Sequence, residues 1–443
     1  MPISTFFGLE TTLRGILAHQ QAINTSSHNV ANANTEGYSR QEAVLGASDP
    51  YRVAAGIGLT NTGHIGSGVS VQAFERIRDG FLDLQYRAQA MQVGQQETTS
   101  RQLDQVELAL AEPTDNGISR ELEKFWNVWS DLANNPDDIA ARQALIDQAK
   151  NVAAAFKVID DQLTTVKAQS IAEYNSITAV GGDVDLMVRE VAQLNASIKA
   201  FVQNGDTPND LVDRRDLLLD RLSKLGQVSV TDLGNGSIDL YFGGAALPIV
   251  ADTTRNWPQA LSNPGGKLGA LTDISSTVPP GVVDQYRAQL NAVVAQLAGD
   301  VNAAHTSAGG PAFFTFVAGS AAGTLTVNVT TATVVTGSTA AAGANDIARQ
   351  IANLRGGTAD DLYTAFVTRV GADLKNAQRG EANAVVLLNA INDRRQSVSG
   401  VSMDEEMTNL VRFQRGYQAS ARAMSTMDQM LDTLINRTGT VGL

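Results

Sequence analysis

The C-terminal stretch from Val401 to Asn436 constrains the fold more than any other part of the chain, because it has the pattern of one long amphipathic helix. It contains no Pro, and after Val401 its only Gly is Gly416. Ser402, followed three residues later by Glu405, has the spacing of a helix N-cap and capping box. Its apolar residues recur at three- and four-residue steps, interrupted by the polar Ser420, and form the C-terminal stripe: Leu410, Phe413, Tyr417, Met424, Met427, Leu431 and Leu434. One helix does not bury so narrow a stripe by itself, so the pattern predicts a partner helix.

The N-terminal segment has a matching pattern. Residues 4–33 predict a helix that ends in the Asn-rich run from Asn29 to Asn34, since Asn favours turns over helix interiors. Its apolar residues follow the same rhythm, with Gln20 and Ser27 as polar interruptions, and form the N-terminal stripe: Phe6, Leu9, Leu13, Ile16, Ile23 and Val30. Two striped helices that bracket a whole chain indicate an assembly architecture, so we predict that both stripes belong to an assembly interface.

Composition restricts the classes of partner. The chain of 443 residues has a formal net charge of −13 and a pI of about 4.8. We therefore expect no nucleic-acid partner, because phosphate binding requires a basic face. The chain has no Cys, which rules out disulfides, thiol chemistry and Cys-type zinc sites. Its first residues lack the pattern of a cleaved secretory signal, and no run approaches the length of a membrane-spanning helix, so we expect no membrane insertion.

The middle of the chain predicts helices separated by Gly and Pro. Thr207 and Pro208 are the residue types of an N-cap and a first helical position. The segments with helical apolar spacing cover residues 78–112, 118–134, 145–201 (as a kinked helix or a helix pair), 208–225, 281–305, 344–354 and 358–395.

A smaller β part is also predicted. Residues 228–242 alternate around Gly234-Asn235-Gly236, which is a hairpin pattern. Residues 311–316 predict a strand, and residues 317–343 a further hairpin or a flexible exposed piece.

The predicted fold class is mainly α with a small β part: terminal coiled-coil helices, an elongated helical-bundle body and a small β-containing domain. The expected boundaries are 1–40 with 400–443 for the terminal coiled-coil inner domain, 41–226 with 344–399 for the helical body, and 227–343 for the β-containing region with one helix.

No residue pattern indicates an enzyme. The four His residues are scattered, and none has an acidic or His partner at metal-ligand spacing. The Gly-rich residues 56–68 lack the Lys-Ser/Thr pair of a phosphate loop. A series of acidic residues at helical spacing runs into the 208–225 helix: Asp206, Asp210, Asp213, Asp216 and Asp220. They are interleaved with Arg214, Arg215 and Arg221, so we expect intrahelical surface ion pairs and no calcium site. We predict no catalytic residue, no cofactor and no bound metal.

Residues 26–41 (SSHNVANANTEGYSRQ) resemble the N-terminal signature of bacterial flagellar axial proteins, the rod, hook and hook-associated family. Residues 414–419 and 430–436 are similar to the C-terminal end of the same family. Three further segments, at residues 209–216, 302–314 and 399–406, resemble its hook-associated members at the hook–filament junction. The positions that match the N-terminal family motif are Asn29, Asn32, Thr35, Gly37 and Tyr38.

The resemblance implies an extracellular structural subunit of the bacterial flagellum that joins hook to filament. Such a subunit is exported through the flagellar type III apparatus without a cleaved signal peptide. The implied partners are further copies of the chain in a helical polymer, the hook protein, the next hook-associated junction protein and an export chaperone. In this family the terminal helices are disordered in the free subunit and fold on assembly. Many members also carry an extra outer domain, which is reduced here to the segment between Phe314 and Asn345.

Two alternatives remain open from the sequence. One is a hook or rod subunit of the same family, which shares the terminal motifs. The other is a secreted coiled-coil adhesin, in which the two terminal stripes would pair within a single chain.

Overall fold

The computed structural model describes residues 6–50, 66–110, 112 and 117–437, and these residues form a mainly α protein with three small sheets. The predicted fold class is confirmed. The helices are α1 (Phe7–Asn32), α2 (Gly80–Leu110), α3 (Ile118–Asn134), α4 (Ile139–Thr178), α5 (Asp183–Gln203), α6 (Asn209–Leu225), α7 (Gly266–Ser275), α8 (Val282–Ser307), α9 (Ala321–Thr324), α10 (Asp346–Ala352), α11 (Thr358–Ser399) and α12 (Met403–Asp432), which continues into a π-helical turn (Thr433–Arg437).

The three sheets are antiparallel and small. The strands are β1 (Gln41–Ala47), β2 (Val69–Arg76), β3 (Val228–Asp232), β4 (Ile238–Phe242), β5 (Val250–Ala251), β6 (Thr254–Arg255), β7 (Phe314–Thr315) and β8 (Thr326–Val327). β1 pairs with β2, β3 to β6 form a four-stranded meander, and β7 pairs with β8. The predicted hairpin at residues 228–242 is the β3–β4 pair, with Val228 opposite Phe242.

Helix boundaries follow the sequence signals closely. Ser402 caps α12 as predicted, because its side chain accepts a hydrogen bond from the Glu405 N–H at 3.5 Å. The long central pattern is a helix pair, with the break between α4 and α5 at Gly181, which has a φ of +84°. The N-cap expected at Thr207 is wrong: α6 begins at Asn209, and Pro208 flanks it without a side-chain cap.

The larger of two hydrophobic cores is built from α3, α4, α8, α10, α11 and the end of α2. Its centre is aromatic: the ring centroids of Trp129 and Phe313 are 5.3 Å apart, and those of Phe125 and Phe314 are 5.8 Å apart. Offset aromatic pairs of this kind add to the energy of apolar burial. The core therefore ties the β7 segment to α3.

The second core joins α5 and α6 to the four-stranded sheet. Buried residues of α5 and α6 meet Leu240 and Phe242 of β4, and the Phe242 ring lies 6.2 Å from that of Trp257. The helix α6 of this core also contacts the segment after α1, because Asp213 accepts the Ser39 N–H.

Residues 317–343 differ from the expected hairpin or exposed piece. Only a two-residue strand, β8, pairs with β7; residues 321–334 pack on the larger core through Ala322, Leu325 and Val334, whereas residues 317–319 and 338–343 are exposed. The Thr- and Val-rich composition of this segment suits strands, but burial against α4 and α8 determines its conformation.

Candidate assembly surface

The first and last helices pair within the chain. α1 and α12 run antiparallel. Two Gly residues of α1 and one of α12 each face a larger side chain on the opposite helix. A Cβ added to Gly8 would lie 2.8 Å from Met427 Cε, and one added to Gly15 would lie 2.9 Å from Ser420 Oγ. A Cβ on Gly416 would lie 2.6 Å from the His19 ring. These three contacts share one register along the helix pair.

Small side chains form the surface at which the two helices meet, which we call the inner seam. The fully buried residues of α1 are Gly15, Ala18, Ala22, Ser26 and Asn29. Small residues let two helix backbones approach closely, because no Cβ or longer side chain separates them. The sequence interpretation missed this seam, although Gly8, Gly15 and Ala22 recur at seven-residue spacing beside the apolar stripe.

Met427 of the C-terminal stripe contacts Gly8 at the inner seam, and no predicted stripe residue is fully buried in the chain. Leu9, Ile16, Ile23 and Val30 of α1 are partly buried, whereas Phe6 and Leu13 are exposed. In the C-terminal stripe the partly buried residues are Leu410, Phe413, Met424 and Leu431. Tyr417, Met427 and Leu434 are exposed.

Large apolar side chains of this helix pair remain exposed in the single chain, and we call these residues together the outer face. Leu13 is 45% exposed and Leu17 is 50% exposed. The outer face comprises Phe6, Leu13, Leu17, Met403, Met407, Val411, Tyr417, Met427, Met430, Leu434 and Ile435. Monomeric soluble proteins rarely leave so many large apolar side chains exposed on one pair of helices, so the outer face is a candidate contact surface.

The family-motif residue Asn29 fixes the end of α1 to the first strand. Its Nδ2 donates to the Gln41 carbonyl at 2.8 Å. Its Oδ1 accepts from the Gln41 N–H at 3.0 Å and from the Tyr38 hydroxyl at 2.7 Å. Burial, together with the charges of Asp210 and Asp213, raises the pKa of Tyr38, so the hydroxyl remains a donor. One buried amide therefore satisfies three groups at the α1–β1 connection.

The other motif residues shape the turn between them. Asn32 Nδ2 donates to the His28 carbonyl at 3.1 Å, and the Thr35 hydroxyl donates to Asn32 Oδ1 at 3.2 Å. Gly37 has a φ of +80°, a left-handed conformation that disfavours other residues, and a Cβ there would lie 3.1 Å from Leu217 of α6. The motif is thus a structural connector that turns the chain from α1 into the body.

Acidic residues of α6 belong to a buried arginine–aspartate cluster, so the expectation of intrahelical surface pairs is wrong. Arg76 Nη1 lies 2.8 Å from Asp213 and 2.9 Å from Asp216. Arg87 Nε lies 2.8 Å from Asp220. The cluster joins β2, α2, α6 and α11, and its members are Arg76, Arg78, Asp83, Arg87, Asp213, Asp216, Asp220 and Arg395.

Charge balance stabilises the ionised form of the cluster. Burial alone would raise the pKa of Asp216, but the charges of Arg78, Arg76 and Arg87 outweigh it, so the pKa is lowered. Asp213 also accepts the Ser39 N–H at 2.9 Å, which links the cluster to the connector from α1. Spacing along α6 could identify the shared face, but not these partners from distant segments.

His305 is a structural residue of the body. Its Nδ1 lies 2.7 Å from the Pro311 carbonyl, and its Nε2 accepts the Val335 N–H at 2.9 Å, so the neutral ring bridges two segments. Burial lowers the pKa of His305, against the opposing effect of the Pro311 carbonyl. Over the described ranges, no three His, Asp or Glu side chains are grouped to hold a metal ion. No helix that the structure describes is long and apolar enough to span a membrane.

Family models match three parts of the chain. Residues 103–264 match the model described as "Flagellar hook-associated protein FlgK helical domain". Residues 9–38 match "Flagella basal body rod protein", and residues 394–437 match "Flagellar basal body rod FlgEFG protein C-terminal".

Known proteins are similar over nearly the whole chain. Flagellar hook-associated protein 1 of Bacillus subtilis is 31% identical, covering 99% of this chain and 99% of that protein. The protein of the same name from Escherichia coli is 26% identical, covering 97% of this chain and 99% of that protein. The solved structure of the flagellar hook junction protein FlgK from Burkholderia pseudomallei is 22% identical, with a TM-score of 0.45, covering 53% of this chain and 46% of that chain.

Proposed function

This chain belongs to the flagellar hook-associated protein 1 family and is a structural protein of the hook–filament junction, and we propose that it polymerises there through its terminal helix pair. The rod and hook alternatives share only the ends of the chain. A Helicobacter pylori hook protein, for example, covers 14% of it. Membership of the family removes the coiled-coil adhesin alternative.

The observation that supports this proposal is that the terminal pair buries small residues between its two helices and leaves large apolar residues exposed. The inner seam is made of small residues and closes the pair within the chain. The outer face keeps large apolar side chains such as Leu13 and Tyr417 exposed. Contact with further subunits would bury the remaining exposed part of these side chains, so each gains a fraction of the about 1.5–3 kcal/mol that burial of a fully exposed side chain contributes.

The contacts between copies would be heterologous. One part of the outer face would meet a different part of the next subunit's surface, because such contacts continue along a helical lattice and need not close into a small ring. Met403, Met407, Met427 and Met430 are exposed on this face. Unbranched Met side chains adapt to neighbours of differing shape, which suits a subunit between two kinds of lattice.

The same proposal includes the binding partners of the chain and its export from the cell. The hook protein would lie on one side of the assembled layer and the next hook-associated junction protein on the other. The chain would be exported without a cleaved signal, held by a chaperone that covers the terminal helices, and would act outside the cell. No residue of the chain is assigned a catalytic role.

A Leu13→Asp substitution tests the assembly role of the outer face. Leu13 is exposed in the single chain, so the variant should fold normally yet fail to build the junction, because contact with a neighbour would bury its charge. The matched control is Leu108→Asp on α2, whose side chain is 73% exposed on the body. The measurement is filament attachment and swimming in cells that express each variant. Normal attachment with Leu13→Asp would count against assembly through the outer face.

A further inference from the structure

The chain passes between the terminal helix pair and the body at two places, and Arg40 lies where they meet. One passage runs from the end of α1 to the start of β1, and the other is the link from Gly400 to Ser402 between α11 and α12. The Arg40 N–H donates to the Ser399 carbonyl at 2.9 Å. The Arg40 carbonyl accepts the Ile77 N–H at 2.8 Å. The backbone of Arg40 therefore joins both passages.

The Arg40 guanidinium holds two consecutive carboxylates in the first turn of α12. Nη1 donates to Glu405 Oε2 at 2.6 Å, and Nε lies 2.8 Å from Glu406 Oε1. The two carboxylates differ in environment, because the Glu405 side chain is 61% exposed and that of Glu406 is 1% exposed. Arg40 is the ion-pair partner of Glu406, whose carboxylate accepts no hydrogen bond from the described residues. The buried charge therefore depends on Arg40.

The two helices of the terminal pair are attached differently, because α1 also packs on β1 and β2 whereas α12, over the residues that the structure describes, does not. In the described chain, α12 packs extensively only along α1 and its own C-terminal turn. On one side of Arg40 lies a groove of about 1340 Å³, lined by residues 33–40 and 395–402 and by side chains of α2, α5 and α6. On the other side, a cavity of about 20 Å³ lies beside Glu406 between α1 and α12, which is enough for one water molecule. The helix α12 itself is therefore tied to the body chiefly by its chain link to α11 and by the ion pairs of Arg40.

We propose that Arg40 is a positioning residue: its ion pairs with Glu405 and Glu406 fix α12 to the body and, together with the packing of α1 on β1 and β2, set the direction in which the terminal helix pair leaves the body. The Glu406 contact dominates, because an unpaired buried carboxylate is strongly unfavourable. The Glu405 contact contributes little, because exposed ion pairs are weak. In a polymer built through the terminal pair, this direction orients each body against its neighbours. That last consequence rests on the proposed function, whereas the geometry of the single chain does not.

Distances between spin labels test the proposal in the full-length chain, which has no native Cys to interfere. Ser425→Cys on α12 and Lys375→Cys on α11 report the angle of the terminal pair. Lys150→Cys with Lys375→Cys reports the body alone. Both pairs use exposed positions of described helices.

Three substitutions at the contact are compared in each labelled chain. Glu406→Gln removes the buried charge, and Arg40→Lys keeps a charge but not the two separate nitrogens of the guanidinium. Both should widen the Ser425–Lys375 distance distribution about twofold. Glu406→Gln loses the charge that pairs with Arg40, and in Arg40→Lys the Lys ammonium does not reproduce the forked contact. Glu405→Gln should leave the distribution as in the unsubstituted chain, and the body pair should not change in any variant.

Several outcomes would overturn the proposal. The first is a Ser425–Lys375 distance distribution that Glu406→Gln leaves unchanged. The second is a distribution that is already as broad in the unsubstituted chain as in the variants. The third is an equal broadening of the Lys150–Lys375 distribution. The measurement needs no polymer, so its result is independent of the junction phenotype of Leu13→Asp. A failed assembly test with a narrow, Arg40-dependent distance would leave the positioning role intact.

Discussion

Gly15 of α1 lies directly against Ser420 of α12, at a separation that leaves no room for a Cβ: the added atom would lie 2.9 Å from Ser420 Oγ. The contact is central to the inner seam and explains why the C-terminal stripe is interrupted by a polar residue at this position. A larger side chain at either place would separate the helices. Close approach, and not a continuous apolar stripe, holds the terminal pair together.

We predict that Gly15→Leu loosens the terminal pair. Overpacking a close contact costs about 1–3 kcal/mol, because neighbouring backbones must shift. The loss should appear as faster amide hydrogen exchange in α1 and α12, with exchange in α4 and α8 unchanged. Gly299→Leu on α8 is the control, since a Cβ there meets nothing within 4 Å. Equal protection of α1 in both variants would contradict the close-packed seam.

Much of this fold could be predicted from local sequence. The starts and ends of α3 and α12 and the β3–β4 hairpin follow from apolar spacing, capping residues and Gly-containing turns. These signals are local, since each depends on residues within a few positions of one another. They can therefore be recognised in a single sequence.

Contacts between distant segments could not be predicted in this way. Arg87 and Asp220 are 133 residues apart, and nothing in their local patterns pairs them. Gly15 was missed because small residues carry no hydrophobic signal, although they decide how closely two helices pack. The role of both stripes as an assembly interface stays a prediction, because contacts between subunits lie beyond a single chain.

We predict that Asp216→Asn destabilises the body at neutral pH by about 3 kcal/mol, since it removes the one carboxylate that Arg76, Arg78 and Arg87 share and leaves the buried cluster with excess positive charge. The midpoint of urea unfolding measures the loss. Asp147→Asn is the control, because Asp147 lies on the exposed surface of α4 and should change the midpoint little. A midpoint for Asp216→Asn equal to that of the control would show that the cluster contributes nothing to stability.

The same cluster predicts a loss of stability in acid. The pKa of Asp216 is lowered in the folded chain, so the folded state binds fewer protons than the unfolded state. Its contribution is complete above about pH 5 and is lost as the pH falls below the unfolded value of about 3.9 and through the lowered pKa. Urea midpoints between pH 6 and pH 3 should therefore fall more steeply in the unsubstituted chain than in Asp216→Asn.

His305 predicts a second pH dependence at a higher pH. Because burial lowers its pKa, the neutral ring is the folded form, and its contribution is complete above the unfolded value of about 6.5. Stability should then fall by up to about 1.4 kcal/mol per pH unit until the lowered pKa is reached. The Val335 amide, which donates to His305 Nε2, should exchange faster as the pH falls below 6.5, after correction for intrinsic rates. A His305→Gln variant that keeps the same pH slope would contradict this assignment.

Asn29 and Asn32 provide a matched comparison within the family motif. Asn29→Ala leaves the Gln41 N–H, the Gln41 carbonyl and the Tyr38 hydroxyl without their partner in a buried site, at about 1–3 kcal/mol for each group that stays unsatisfied. Asn32→Ala removes a partly exposed amide, so water can replace its contacts and the loss should be about 1 kcal/mol or less. Thermal melts of the two variants measure the difference, and hydrogen exchange in β1 locates it. If both melt alike with β1 equally protected, the connector role of Asn29 is wrong. If Asn29→Ala alone exposes β1, this residue is what fixes the end of α1 to the body.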